Sequence, residues 1–369
     1  MPQSSDTKVS PMEIGSVALV MLSALGTLRL PDIVSKSAMH DGWISVPLAG
    51  IYGFIVLACI WALSKRFPGQ TLVQYAPRLL GPIAGPAIAL LFLLASLIWL
   101  GVILRGFTDF VLITSLPKTP ISVVVGMMVF VIVTSARHDF IVCARLCFLL
   151  TPVALALTLL VIAQGVAKMD IANLQPVMVH GPKQVLSGAL TATAFFGSVN
   201  VFAMFTPFCH NQAGGRRAVG WFFLATVVIL TIATLGVNAV FADLSGRFVY
   251  PFFSFARVAS TGPVAFRSDA FIVSLELLLF SAKTIVWAFA ISYGLAQLLR
   301  LSDHKSMVIP VTLSAGALGV MLFGNATQVE AWWIFESPFF AGIIQLGIPA
   351  ILLFAAFCRR KGVRAGRSY

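Results

Sequence analysis

Apolar runs long enough to cross a bilayer recur along the whole chain, separated by short polar connections. Because a helical span needs about 20 mostly apolar residues, the pattern predicts an all-α polytopic membrane protein with about ten transmembrane helices. The amphipathic stretch 71–80 is predicted to lie at the membrane interface, and the Tyr-Pro-Phe-Phe sequence at 250–253 indicates a surface helix in the long loop 242–267. The predicted spans are 11–34, 43–63, 83–114, 121–134, 141–166, 185–208, 218–241, 270–299, 307–323 and 339–357.

The first predicted helix is interrupted by polar residues and by residues that break helices. Gly26, Thr27, Arg29, Pro31 and Asp32 follow a mainly apolar run over residues 14–25. Lipid offers no hydrogen-bond partners for free backbone groups, so an interruption at this depth has to be buried in protein or line a wet cavity. Secondary transporters build midplane binding sites from such broken helices. A proline kink near a helix end is the alternative interpretation.

The sixth predicted helix carries a second interruption, at residues 195–200 around Gly197. If the ten helices are split into two halves of five, each interruption lies in the first helix of a half, which is the arrangement of an inverted-repeat transporter. We therefore predict one transmembrane domain over 1–369. Its first repeat would cover about 11–166, its second about 183–357, and a basic cytoplasmic tail would follow at 358–369.

Composition supports a membrane protein and changes the interpretation of the charge. Hydrophobic residues make up 59% of the chain and charged residues 10%, with a mean hydropathy of +0.96, whereas charged residues are about a quarter of an ordinary soluble domain. Most of the basic residues behind the net charge of +12 lie at predicted helix ends, and about twice as many lie on the side of the N-terminus. This bias favours two cytoplasmic termini and contacts with lipid headgroups, and gives no reason to expect a nucleic acid partner.

Ionisable residues inside predicted spans are rare in membrane proteins and are typical of cavities and bundle interiors. Two pairs can meet on one face of their helix: Arg29 with Asp32, three residues apart, and Arg105 with Asp109, four residues apart. We interpret these pairs as an outer gate or as structural bridges, and not as a binding site.

Glu276 and Lys283 lie on one face of the eighth predicted helix but are about 10 Å apart along its axis, too far for easy direct contact. Lys283 is either the partner of a carboxylate on another helix, or an internal positive charge that replaces a transported cation or stabilises a polar path. Glu276 either relays a proton, contacts a ligand amino group, or neutralises Lys283 through an intervening group. The sequence leaves these alternatives open.

The sequence does not indicate a catalytic or metal site. It contains no nucleophile with a base at usable spacing, no phosphate-binding loop and no carboxylate pair suited to hydrolysis, so we expect neither an enzyme nor a cofactor. The histidines lie at predicted helix ends or in loops, and the five cysteines lack paired spacing, so we expect no metal site.

Seven short motifs follow one another in a consistent order and spacing. They are His-Asp-Gly-Trp-Ile-Ser at 40–45, Arg-Phe-Pro-Gly-Gln-Thr-Leu at 66–72, Leu-Pro-Lys-Thr-Pro at 116–120, Ala-Arg at 144–145, Leu-Gln-Pro-Val at 174–177, Tyr-Pro at 250–251 and Phe-Ser-Ala-Lys at 280–283. Together they resemble the spore germination permeases, the membrane-embedded B subunits of bacterial spore germinant receptors, within the amino acid, polyamine and organocation transporter superfamily. The likeness covers nearly the whole chain.

The resemblance implies a leucine-transporter-like fold of two inverted five-helix repeats, with helices 1 and 6 broken. It also implies a small nutrient germinant bound between helices 1, 3, 6 and 8, and assembly with an A subunit and a lipoprotein C subunit in the spore inner membrane. Carried onto this chain, the ligand-binding residues would be Gly26, Thr27, Val102, Phe196, Gly197, Lys283 and Thr284. The chain departs from the family pattern upstream of Arg145, at Asp139 and Ile141, and again at Glu13.

Three functions are compatible with the sequence. The favoured hypothesis is a ligand sensor with a transporter body, in which a nutrient bound at the broken helices favours one conformation and the change passes to partner subunits. The second is a secondary active transporter of an amino acid or polyamine, coupled to protons through Glu276. The third is a scaffold that no longer binds ligand, which a pocket filled by Phe195 or Phe196 would favour.

Overall fold

The structure of the protein is a computed structural model that describes residues 8–179, 181–260 and 268–365, without the side chains of 268, 269 and 360–365. Within these residues the chain forms helices and turns, with one isolated bridge between Val9 and Cys209. The α-helices are α1 (Pro11–Ala38), α2 (Gly42–Arg66), α3 (Leu72–Leu80), α4 (Ala84–Thr114), α5 (Ile121–Ser135), α6 (Phe140–Gly165), α7 (Pro182–Gly197), α8 (Phe202–Phe205), α9 (Gln212–Phe241), α10 (Pro251–Ala259), α11 (Ser268–Leu298), α12 (Lys305–Met321), α13 (Ala326–Ala331), α14 (Ser337–Phe340) and α15 (Ile348–Ala365).

Seven segments of the described chain have the length and apolar character of membrane spans. The first, Pro11–Arg66, contains both α1 and α2, which are joined by a 3₁₀ turn at Met39–Asp41. Helices α5 and α12 are shorter but also apolar. When α1 and α2 are counted separately and α5 and α12 are included, the described helices agree with the predicted ten spans, and the protein is an all-α polytopic membrane protein.

Helix α1 lies at the centre of the bundle, where it packs against α6, α7, α9 and α11. Every residue from Ile14 to Ser35 is buried, including Arg29 and Asp32, because other helices surround α1. Its break is narrower than the sequence predicts. Only Ala24 (ψ 122°) and Leu25 (φ 70°) are non-helical, and the chain is helical again from Gly26 to Ala38. The positive φ falls on leucine although glycine follows directly, so local preference does not set the position of the break.

The interruption predicted in the sixth span is confirmed. Helix α7 ends at Gly197 and the chain continues as a 3₁₀ segment (Ser198–Val201), the single turn α8, and a second 3₁₀ segment (Thr206–Phe208). This span is therefore interrupted by a change of helix type, whereas α1 is interrupted by two residues with non-helical torsions.

Two other predictions need correction. Helix α10 forms where the sequence predicts a surface helix, but Phe252 and Phe255 are buried, because α10 packs between α6, α9 and α11. The last span begins well before residue 339: helix runs from α13 through a π segment (Trp332–Glu336), α14, a second π segment (Ala341–Gly347) and α15. Polar residues in its first turns obscure this start in the sequence. Residues 366–369 of the predicted tail lie outside the described residues.

Candidate functional site

The break of α1 leaves backbone groups free in the centre of the bundle, and two side chains of α11 bind them. Lys283 Nζ donates to the carbonyl oxygen of Ala24 at 2.9 Å. On the other side of the break, the N–H of Leu25 donates to Glu276 Oε2 over 3.5 Å, and the hydroxyl of Thr27 forms a hydrogen bond with Glu276 Oε1. We call these five residues the break site.

The break site shows which groups bind Glu276 and Lys283, which are too far apart along α11 for easy direct contact. Glu276 and Lys283 do not need to contact each other, because Lys283 binds the C=O and Glu276 the N–H of the one peptide group that joins Ala24 to Leu25. Both side chains are almost completely buried, at 2% and 3% exposure. Two opposite charges at one buried site compensate each other, which lowers the cost of placing either in a low-dielectric interior.

Of the two alternatives for Lys283, the ion pair with a carboxylate of another helix is not found among the described residues. Among these residues, the hydrogen-bond acceptor of Lys283 is the backbone carbonyl of Ala24 in the broken helix. An ammonium group therefore occupies the place at which a broken helix could offer its carbonyl oxygen to a free cation.

The hydroxyl of Thr27 lies between two acceptors. It is 3.3 Å from the carbonyl oxygen of Ser23 and also bonds to Glu276. A hydroxyl has a single hydrogen to donate. When Glu276 is ionised, Thr27 donates to the carboxylate; when Glu276 is protonated, the carboxyl can donate to Thr27 and free the hydroxyl hydrogen for Ser23. Thr27 therefore offers Glu276 a hydrogen-bond partner in both of its protonation states.

The predicted ligand-binding residues fall into two groups. Thr27 and Lys283 meet at the break site, whereas Gly26 faces another helix: a Cβ added there would lie 3.3 Å from Leu230 of α9. Val102 is fully buried on α4, and the hydroxyl of Thr284 bonds to carbonyls of its own helix. Ligand contact by these residues stays a prediction.

Phe196 and Gly197 are both buried at the end of α7 and approach different neighbouring elements. The ring of Phe196 lies 6.0 Å from that of Phe223 on α9, and Phe195 stacks on Trp333 with ring centroids 4.5 Å apart. A Cβ at Gly197 would be only 2.0 Å from Gln345 Oε1, so a residue without a side chain is needed for this approach.

The π segment Ala341–Gly347 forms one neutral hydrogen bond with α7 and one with α2. Gln345 Nε2 donates to the carbonyl of Ala194 at 3.1 Å, and the hydroxyl of Tyr52 donates to the carbonyl of Ala341 at 2.7 Å. Segments of π-helix are frequent at functional sites because they redirect side chains and carbonyls within a helix. Here the segment connects α2, α7 and the last span at the second broken helix.

Four charged residues form a cluster at the other end of α1, which we call the Arg29 cluster: Arg29, Asp32, Lys36 and Glu330. Asp32 is fully buried and lies 3.2 Å from Arg29 Nη1 and 2.9 Å from Lys36 Nζ. Glu330 on α13 lies 3.1 Å from Lys36 and 3.7 Å from Arg29. The predicted Arg29–Asp32 contact is therefore present. The contacts of Glu330 with Arg29 and Lys36 connect α1 to the last span.

The second predicted pair lies beside this cluster. Arg105 Nε is 3.0 Å from Asp109, and its Nη1 donates to the carbonyl of Phe323 at 2.6 Å. A cavity of about 20 Å³, lined by Arg29, Asp109 and Glu330 among others, lies between the two groups. That volume is enough for about one water molecule.

Sequence reasoning missed part of both sites. Lys36 follows Asp32 by four residues, so the same spacing rule that indicated the Arg29 pair could have found it. Glu330 lies on a short helix in a segment without an apolar run, and Ala24 and Leu25 act through their backbones. Among the described residues, no group of three His, Cys, Asp or Glu side chains is placed to hold a metal ion.

Comparison with known proteins assigns the chain to a family. The model of the family described as "Spore germination protein" matches residues 8–328. The chain belongs to the spore germination protein family. This spore germination protein is 23% identical to spore germination protein YndE of Bacillus subtilis (strain 168), over 97% of this chain and 99% of YndE. It is also 23% identical to spore germination protein A2 of the same organism, over 94% of this chain and 95% of A2.

Solved structures establish the fold of this spore germination protein. Mhp1, a nucleobase-cation-symport-1 family transporter in a closed conformation with bromovinylhydantoin bound, superposes with a TM-score of 0.68 at 13% identity, over 93% of this chain and 79% of Mhp1. MhsT in complex with L-phenylalanine superposes with a TM-score of 0.65 at 11% identity, over 92% of this chain and 87% of MhsT. The chain has the leucine-transporter-like fold of these proteins, with a 5+5 inverted repeat and broken first and sixth spans.

Proposed function

We propose that this protein is the membrane-embedded germinant-sensing subunit of a spore nutrient receptor. A small nutrient, such as an amino acid, would bind at the broken helices and favour one conformation of the bundle. The change would pass to an A subunit and a lipoprotein C subunit in the spore inner membrane, with both termini of this chain on the core side. The family and the fold support the general class, and the break site supports the sensing step.

The observation that carries the proposal is the binding of free α1 backbone groups by Lys283 and Glu276. A ligand with a carboxylate or an amino group offers those same side chains an alternative partner. Binding would then change how α11 is attached to α1, and a ligand shifts a conformational equilibrium only through such a difference in affinity. A small ligand at this place can therefore act on two helices at once.

The rival function is a secondary active transporter of an amino acid or polyamine. It is favoured by the geometry around Thr27, where Glu276 can take up a proton and keep a hydrogen-bond partner. Mhp1 is a transporter of the nucleobase-cation-symport-1 family, and MhsT is known in complex with L-phenylalanine. A sensor and a transporter would use the same break site and differ in whether solute crosses the membrane.

The test compares Thr27→Val with Thr234→Val in spores. Both threonines are buried, but among the described residues the hydroxyl of Thr234 bonds only to the carbonyl of Leu230 in its own helix, 2.8 Å away. We expect Thr27→Val to raise the nutrient concentration needed for dipicolinic acid release about tenfold, because a hydrogen bond to a charged group is lost. Thr234→Val, checked for equal protein level by immunoblot, should respond like the parent.

Uptake by proteoliposomes that contain the purified chain separates the two functions. A sensor binds the active nutrient without accumulating it, whereas a transporter accumulates it under a proton gradient and loses this activity with Glu276→Gln. If spores with Thr27→Val and spores with Thr234→Val respond identically to every nutrient of an amino acid and sugar panel, the break site is not where the signal enters.

A further inference from the structure

A groove between α2 and α9 lies away from the break site and has no role in the proposed function. Its cavity is about 480 Å³, within the range of small-ligand sites, about 300–1,000 Å³. The apolar part is lined by Phe54, Trp61, Trp221 and Leu224. Trp61 reaches into the groove over Gly220, where an added Cβ would lie 3.1 Å from the indole ring.

Three basic residues line one end of the groove: Lys65 in the last turn of α2, and Arg216 and Arg217 in the first turns of α9. None of the three has an acidic partner in the described part of the chain, and neither Asp nor Glu lines the cavity. Three positive charges at one end of the groove make that end attractive to an anion.

The groove changes from basic to apolar along the axes of α2 and α9, which run across the membrane. Phe54 precedes Lys65 by 11 residues on α2, and Leu224 follows Arg216 by eight on α9, which places the apolar end about 12–16 Å from the basic end. The side chains of Phe54, Leu224 and Trp221 are 48%, 49% and 70% exposed although they belong to spanning helices. The groove therefore opens to the lipid phase along its side and presents its charges at the level of the headgroups.

We propose that this groove binds one acidic phospholipid, with its phosphate against Lys65, Arg216 and Arg217 and an acyl chain along Phe54 and Leu224. Basic pockets between transmembrane helices on the cytoplasmic side suit anionic headgroups, and the bias of basic residues places this end on that side. An acidic segment of a partner protein would match the three charges, but it would not need an apolar groove that continues into the bilayer.

The bound lipid would lie next to the inner ends of both broken helices. Trp61 and Arg216 also line a second, smaller cavity of about 20 Å³, together with Ile14 of α1 and Phe202 of α8. A headgroup held by Arg216 therefore shares a wall with the segment where α1 begins and the sixth span ends. A bound lipid at this position would affect the start of α1 and the end of the sixth span, both in a nutrient sensor and in a transporter.

The experiment measures lipid binding to the purified full chain by native mass spectrometry. The probes are phosphatidylglycerol and phosphatidylcholine with identical acyl chains. We expect the parent to prefer phosphatidylglycerol, and Lys65→Gln/Arg216→Gln/Arg217→Gln to lose about tenfold or more in affinity for it, since each basic residue near a headgroup strengthens binding severalfold. Affinity for phosphatidylcholine should not change.

The matched control removes three charges that the charge bias places on the same side of the membrane: Arg137→Gln/Arg300→Gln/Lys305→Gln. It should keep the preference of the parent within about twofold. A second variant, Ala213→Trp, fills the groove without changing its charge, because Ala213 is an exposed residue of the lining. It should lower phosphatidylglycerol affinity as the triple variant does.

Three results would overturn the proposal. The control could lose as much affinity as the groove variant, which would mean that total surface charge is responsible. Both groove variants could bind phosphatidylglycerol like the parent. Finally, they could bind lipid normally but no longer copurify with the A or C subunit from a coexpressed receptor, in which case the groove is a protein-binding surface.

Discussion

The two broken helices are stabilised by different chemistry. At the break of α1, free backbone groups bind the charged side chains of Lys283 and Glu276. In the sixth span the helix changes type at Gly197, and the neutral side chain of Gln345 donates to a carbonyl of α7. Buried charged contacts respond strongly to a change of charge nearby, whereas neutral ones respond weakly. We infer that α1 is the responsive helix and that α7 is its fixed support.

The largest effect should follow from removing the ammonium group of the break site. Lys283→Met leaves Glu276 buried without its nearby cation and the carbonyl of Ala24 without its donor. We expect a loss of about 3–5 kcal/mol in the free energy of unfolding, the usual cost of leaving a buried charge without its compensating partner. The measurement is thermal unfolding of the purified chain in detergent.

The double variant Glu276→Gln/Lys283→Met is the control for this prediction, because it removes both charges together. It should be more stable than Lys283→Met alone, with a coupling energy of about 1–3 kcal/mol between the two positions. Strictly additive losses would show that the charges act independently and would remove the basis for a responsive α1.

A smaller effect is expected at the neutral break. Gly197→Ala places a Cβ 2.0 Å from Gln345 Oε1 and 2.9 Å from the ring of Tyr52. Gln345 has to move, and its hydrogen bond to Ala194 is then lost, so we expect destabilisation of about 1–3 kcal/mol. The control is Gly342→Ala, where an added Cβ meets nothing within 4 Å. Equal unfolding temperatures for the two variants would contradict the close approach.

Much of the fold could be predicted because membrane spans depend on local composition. Most predicted spans agree with described helices to within a few residues, and the positions of the two interruptions, together with the family resemblance, indicated the inverted repeat. The start of the last span was missed because its first turns are polar and lack the apolar run that identifies the other helices. Bilayer thickness sets the length of the apolar run in a spanning helix, but a helix that continues beyond the apolar run gives no such signal in the sequence.

The partners in the candidate site could not be predicted in the same way. The sequence placed Glu276 and Lys283 on one helix face, but their acceptor and donor are backbone groups of a helix about 250 positions earlier in the chain. Almost every residue carries the same backbone N–H and C=O groups, so no sequence pattern identifies which of them will bind a distant side chain. Leu25 has a positive φ beside a glycine, which indicates that tertiary contacts decide where the helix breaks.

The smallest effect should come from the Arg29 cluster, which also contains buried charge but has an exposed edge. Glu330 and Lys36 are 31% and 23% exposed, and Asp32 keeps both of its basic partners when Glu330 is replaced. We therefore expect Glu330→Gln to cost about 0.5 kcal/mol at low salt, and less at about 1 M salt, where the screening length is about 3 Å. The effect of Lys283→Met should not depend on salt, because its charges are shielded from solvent. If Glu330→Gln destabilised the protein as much as Lys283→Met, the attachment of α13 to α1 would be as strong as the break site, and the difference between the two ends of α1 would disappear.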